Sequence, residues 1–224
     1  MRKKIKYKML LEICLAFIVP YFGLSLIFRE LDRSRFVKYR HNFLDDMALV
    51  QKRLDNSYYD VGGNVLFNIL GLFPFLTYMV YDYVEINNES YCLFESLCHI
   101  FYFSLIFEIF FYLSHRLAHS SKIYKHVHYI HHTMVETIGF GALYCHWIEF
   151  IFCNYLPSIL GIFSLGSTHI NTIYIWMILT ASYIVITHSG YNVGNDHYYH
   201  HLTYSAPYGS FGLMDYLFNN ILKL

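Results

Sequence analysis

Charge is scarce in this chain of 224 residues: Asp, Glu, Lys and Arg together make up 14 %, against about a quarter in a soluble domain. Hydrophobic residues reach 56 %. That balance excludes a disordered chain, which needs low hydrophobicity and high charge, and it points away from a soluble globule toward a membrane protein. Proline is rare, at 4, and glycine stands at 12, so collagen-like and Pro-rich low-complexity classes are excluded. Net charge is zero, and 12 of the 16 Lys and Arg fall within the first 53 residues. No general basic face remains for nucleic acid. The five cysteines, Cys14, Cys92, Cys98, Cys145 and Cys153, contain no CxxC pair, and most sit in or beside apolar runs. There they behave as small hydrophobes, which argues against a disulfide framework.

What the chain has instead is long apolar runs and aromatics, 23 Tyr and 20 Phe. Runs of about 18 residues or more are candidate spans. Five qualify: Met9–Phe28, Val61–Tyr81, Leu97–Ser114, Trp147–Gly166 and Ile170–Thr187. The expected fold class is all-α: a polytopic membrane protein with four or five transmembrane helices and a histidine-rich helical cap. MRKKIKYK before the first run resembles a signal n-region, but no A-x-A-like site follows, so a retained anchor is expected. That run either spans or re-enters at Pro20–Gly23.

Basic residues set the sidedness. Segment 29–53 carries seven, and Arg116–Lys125 three, whereas the Asp82–Glu95 loop has four acids and no Lys or Arg. Residues 29–60 and 115–146 are therefore expected in the cytosol, and the short loops on the other side, where Asn88-Glu89-Ser90 is a glycosylation sequon. Two regions are expected: 1–60, an anchor with a basic segment, and 61–224, a membrane-embedded domain.

Histidine is the anomaly. Of 14, 12 lie between His115 and His201. His115 and His119 stand four apart, one face of a helix. HxxHH occurs twice, as His128, His131, His132 and as His197, His200, His201. In a helix its first and last histidines share a face, and the adjacent pair reaches two neighbouring metals. Neutral imidazole suits Zn, Cu, Fe and Ni, and one zinc needs only three or four ligands. Eight clustered histidines plus His146 and His188 argue for a dinuclear centre, with every one of them on the cytosolic face. His41, His99 and His169 read as hydrogen-bonded core residues, and His126 points away from His128. Acids near the clusters are candidates for orienting the ligands: Glu108, two turns before His115; Glu149, three after His146; Asp196 and Asp215, which flank the last cluster. For Glu108 a plain packing hydrogen bond is an equal alternative, and Asp196 and Asp215 have solvated roles as theirs.

EIFFYLSHRLAHSSKIYKHVHYIHH (108–132) resembles the first two histidine boxes of the fatty acid hydroxylase superfamily, which includes sterol 4-methyl oxidases and sterol C5-desaturases. ALYCHWIE (142–149) is similar to its A-x-x-x-H-P-x-E segment with Trp147 in place of Pro. HSGYN (188–192) and HYYHHLTYSAPYGSFGLMDYLF (197–218) resemble its later boxes. The likeness runs from about 95 to 218 and is nearest the sterol 4-methyl oxidase branch. It implies a non-haem di-iron oxygenase of the endoplasmic reticulum, using O2 and electrons from cytochrome b5 and its NAD(P)H-dependent reductase, acting on a membrane lipid or sterol. It carries ligand roles onto His115, His119, His128, His131, His132, His188, His197, His200 and His201, with His146 as a tenth. Departures fall at Pro207-Tyr208-Gly209, where the pattern has N-Y-G; at Asn219-Asn220, in place of a G-T ending; and in a short Gly190–His197 interval. The reading is sterol C4-methyl oxidation. The alternatives are fatty acyl or sphingolipid hydroxylation, C5-desaturation, or metal binding without catalysis.

Overall fold

A hydrophobic stretch of about 20 residues in lipid has no water to satisfy its peptide groups, so it must close its own hydrogen bonds as a helix. The computed structural model describes residues 2–34, 47–87, 90–134, 137–191, 197–204 and 207–218. Its helices are α1 (Arg2–Arg33), α2 (Met47–Leu66), α3 (Phe73–Val80), α4 (Leu93–Ala118), α5 (Ser121–Ile123), α6 (Tyr129–His132), α7 (Trp147–Glu149), α8 (Leu156–Leu165), α9 (Ile170–Thr187), α10 (His197–Thr203) and α11 (Leu213–Leu217). Five stretches are long and apolar enough to cross a membrane: Lys6–Arg33, Ser57–Tyr83, Leu93–Ala118, Trp147–Leu165 and Ile170–Thr187. The chain is an all-α multi-pass membrane protein, and four of the five expected runs lie within these stretches, the fourth run, Trp147–Gly166, overrunning its stretch by Gly166 alone. His41, Asp196 and the Asn88 and Glu89 of the sequon fall outside the described residues.

The re-entrant alternative for the first run does not survive. α1 continues through Pro20 to Arg33, a rod of about 48 Å. Its Lys6 pairs with Asp82 at 2.5 Å, and at its far end Asp32 accepts a hydrogen bond from Tyr191 (3.1 Å). The two short strands β1 (Glu85–Asn87) and β2 (Ser167–His169) pair in parallel. The start of α1 and both short loops therefore share one end of the bundle, and the histidine-bearing segments share the other.

Two helical passes widen into π turns, at Phe67–Leu72 and Phe150–Tyr155. Each precedes a proline, Pro74 or Pro157, that lacks the N–H owed to the carbonyl four residues back; widening of the preceding turn is one way a helix absorbs that loss. α1 packs against α9, and α4 against α8. The 3-10 segment Gly139–Leu143 passes among these helices. Irregular backbone packed among helices in this way needs its polar groups satisfied by protein. Buried Asn68 donates to Leu143 O (2.9 Å) and Cys145 O (3.1 Å), Asn64 accepts from Cys145 N (3.1 Å), and Tyr21 donates to Phe140 O (2.6 Å). The five cysteines are free thiols.

Candidate metal centre

The last turn of α4 carries His115, and His119 follows as its C-cap, four residues on and on the same face. The chain reverses through α5 and returns through a π turn at Tyr124–His128 into α6, bringing His128, His131 and His132 against them. α9 ends at His188, and α10 lays His197, His200 and His201 across the top. Nine of the imidazoles fall into two groups. One holds His115, His119, His128, His132 and His200; the other holds His131, His188, His197 and His201. Within each group one ring nitrogen per residue lies within 4.8 Å of all the others. Both HxxHH motifs divide in the same way: the first and last histidines enter one group and the middle one enters the other.

Side-chain nitrogens close to contact distance. His119 Nε2 stands 3.0 Å from His200 Nε2, 2.9 Å from His128 Nε2 and 3.3 Å from His132 Nε2. Nitrogens held at about 2.1 Å on one ion stand about 3.0–3.4 Å apart at bond angles of about 90–109°. Burial keeps these rings neutral. It lowers the pKa of His119 and His131 to about 4 and that of His188 to about 3, with the nearby ring of His131 adding to it for His119 and His188. His128, His132, His197 and His201 are pushed down in the same direction, also mainly by burial.

Backbone carbonyls decide which nitrogen is left bare. His115 Nδ1 meets Tyr208 O at 2.8 Å, His131 Nδ1 meets Tyr144 O at 2.9 Å, and His188 Nδ1 meets Ile184 O at 2.9 Å. A carbonyl only accepts, so each Nδ1 is the donor and each Nε2 presents a lone pair. Yet His131 Nε2 and His188 Nε2 stand 3.4 Å apart. Two neutral rings facing lone pair to lone pair repel, and a cation between them removes the conflict. His201 is buried with neither ring nitrogen hydrogen-bonded. The donor set therefore fits metal ions.

The remaining expected residues take other places. His146 stands outside both groups: its Nδ1 accepts from Ile148 N (3.2 Å) and caps α7. Glu149 approaches His128 Nδ1 at 2.8 Å rather than His146. Among the described residues the hydrogen bonds of Glu108 go to the main chain and not to an imidazole: it accepts from Ser210 N and Phe211 N (both 2.7 Å) and Met214 N (3.0 Å). Asp215 accepts from Tyr208 N (2.9 Å) and Gly209 N (2.5 Å). Together the two carboxylates clamp the segment that presents Tyr208 O to His115. Desolvation, reinforced by Glu108, raises the Asp215 pKa against the pull of its two backbone donors. His126 is exposed, His99 bonds Thr168 Oγ1 (2.9 Å), and His169 caps α9. Sequence reasoning missed the carbonyls of Tyr144, Ile184 and Tyr208, because backbone acceptors have no letter of their own.

A cavity of about 310 Å³ opens onto the centre. His115, His128, His131, His188 and His197 border it on one side, and Phe107, Phe111, Tyr183 and Ile184 give it apolar walls.

A model of the fatty acid hydroxylase family matches residues 100–220. Among curated proteins, fatty acid hydroxylase domain-containing protein 2 of Homo sapiens is 40 % identical over 120 residues, covering 51 % of this chain and 36 % of the relative. Methylsterol monooxygenase 2-2 of Arabidopsis thaliana is 35 % identical over 136 residues, and very-long-chain aldehyde decarbonylase GL1-11 of Oryza sativa subsp. indica is 36 % identical over 136; each match covers 53 % of this chain and 50 % of the relative. The chain thus spans between about a third and a half of the curated relatives it matches. No solved structure matches.

Proposed function

Since the chain belongs to the fatty acid hydroxylase family, a family of lipid-oxidising, generally iron-dependent membrane enzymes, we propose that it is a di-iron oxygenase of the endoplasmic reticulum membrane that oxidises the C4-methyl group of a sterol. The observation that carries this reading is the facing of the His131 and His188 lone pairs within one of two adjacent imidazole groups. Bound iron supplies the power to activate O2 against an unactivated C–H bond, which no side chain provides.

The chain's own residues do the rest. His115, His119, His128, His132 and His200 hold one ion, and His131, His188, His197 and His201 the other. The carbonyls of Tyr208, Tyr144 and Ile184 orient three of these rings, and Glu149 steadies His128. Phe107, Phe111, Tyr183 and Ile184 exclude water and seat an apolar substrate against the centre. The histidine end faces the cytosol, since 29–53 and 116–125 carry most of the basic residues on that side, and there it meets cytochrome b5, reduced by an NAD(P)H-dependent reductase. The sterol assignment draws on the methylsterol monooxygenase relative; the aldehyde decarbonylase relative favours an acyl chain as the alternative. The test is metal analysis of the purified protein, followed by O2-dependent turnover of 4-methylsterols against ceramides. Iron-loaded protein that consumes neither ends the oxygenase reading.

A further inference from the structure

We propose that the substrate enters sideways from the lipid layer, through a mouth between α4 and α9, and that Phe211 at that mouth sets how wide an apolar substrate reaches the centre. The proposal deepens the oxygenase reading and rests on it. The cavity beside the histidines has α4 (Phe107, Phe111) on one flank and α9 (Tyr183, Ile184) on the other, with the 207–212 segment closing the gap. All four flanking residues lie within candidate spans, and this is the ground for turning the proposed mouth toward the lipid layer. Phe211 both lines the cavity and is 51 % exposed: one side of its ring faces inward and the other faces the surroundings. Its centroid lies 6.2 Å from Phe107 and 5.1 Å from Tyr183, so the ring bridges the two helices.

The backbone under that ring is pinned. Ser210 N and Phe211 N both donate to Glu108, Met214 N does the same, and Tyr183 OH donates to Ser210 O. Gly212 then turns the chain in the left-handed region at φ +77°, which favours glycine. With its main chain held at both sides, the segment does not swing as a lid. With the backbone fixed, the Phe211 side chain is the part of this segment that rotation about its side-chain bonds can move across the opening. A ring carried on such a frame acts as a size filter, because a fused-ring sterol needs a wider opening than a single acyl chain.

The test uses the full chain in phospholipid nanodiscs, with a diazirine-bearing cholesterol and a diazirine-bearing palmitic acid as photolabels, comparing wild type, Phe211→Ala, Phe211→Leu and Phe211→Trp. A methylene-sized change in an apolar passage shifts discrimination about tenfold or more. Labelling of peptides around Phe107, Phe111 and Tyr183 by the sterol probe, relative to the palmitic probe, is therefore expected to rise about tenfold in Phe211→Ala, less in Phe211→Leu, and to fall about tenfold in Phe211→Trp. Iron content is expected to stay unchanged, because the ring touches no imidazole-holding bond. An unchanged labelling ratio across the series, or labelling that misses these peptides, overturns the proposal. Labelling reads entry and not turnover, so an inactive protein still tests the mouth. An active protein whose labelling ignores residue 211 removes the filter and leaves the oxygenase reading standing.

Discussion

Replacing Glu108 by Gln keeps the shape of a buried side chain and changes what it offers. The carboxylate accepts three backbone N–H groups, two on Oε2 at 2.7 Å and one on Oε1 at 3.0 Å. Gln has one oxygen. If that oxygen faces Ser210 and Phe211, its NH2 faces the Met214 N–H, donor against donor. Two charge-assisted bonds become neutral, each weaker by about 1 kcal/mol, and an unpaired buried N–H costs about 1–3 kcal/mol, giving roughly 3–5 kcal/mol in all. That loss falls on attachment of the 207–218 segment and not on the spans. The segment carries Tyr208 O, which fixes His115 (2.8 Å), and losing such an orienting partner weakens metal affinity about 10–100-fold. Glu108→Gln is therefore expected to expose the 207–218 region to limited proteolysis and to lose iron faster to a chelator, while detergent-solubilised yield stays near wild type. Wild-type protease resistance together with wild-type chelator resistance refutes the clamp.

His201→Ala and His128→Ala each strike a different imidazole group, so each is expected to remove about half of the bound iron and the double variant nearly all; elemental analysis per chain checks this, and a single substitution that empties both sites argues for one shared ion. In metal-free protein, folded His131 and His188 bind protons only near pH 4 and 3, whereas unfolded histidine does so near 6.5. The unfolded state then takes up more protons as pH falls below about 6.5, so stability drops by roughly 2–3 kcal/mol per pH unit until those lower values are reached; a melting temperature no lower at pH 5.5 than at pH 7.5 contradicts this. Gly209→Ala places a Cβ 2.6 Å from Glu108 Oε1 and 2.7 Å from Asp215 Oδ2, closer than such atoms approach, so it is expected to reproduce the proteolysis and iron-loss pattern of Glu108→Gln.

The spans were legible because a bilayer imposes a length, and hydropathy records it. The i,i+4 spacing of His115/His119, His128/His132 and His197/His201 was legible for the same kind of reason: helical period is written into the chain. The roles of the acids were not. Glu149 stands three residues from His146 in sequence, which suggested a local pair, but the α7–α8 pass runs beside the 121–132 turn and delivers the carboxylate to His128 instead. His146 is occupied by its own helix, where its ring serves as the α7 cap. The partners of Glu108 lie 102 to 106 residues away and are all main-chain N–H groups. No pattern of side-chain letters reveals such a bond; only the Gly209 position hints that something approaches closely there.

The departure from the family pattern at Pro207-Tyr208-Gly209 can be weighed on the same geometry. The clamp draws on the N–H groups of Tyr208, Gly209, Ser210, Phe211 and Met214 and on the carbonyl of Tyr208. None of these bonds uses the N–H of residue 207, which proline lacks. A proline there removes no member of the network, and its fixed φ limits the freedom of the chain entering it. What the network does demand is a residue without a side chain at 209, and glycine is present. The exchange of Asn for Pro therefore falls at the one position of the three where neither a donated hydrogen nor a missing Cβ is needed, and the His115 support passes through it intact. Substrate preference is exposed to change elsewhere, in the ring that residue 211 presents to the cavity mouth.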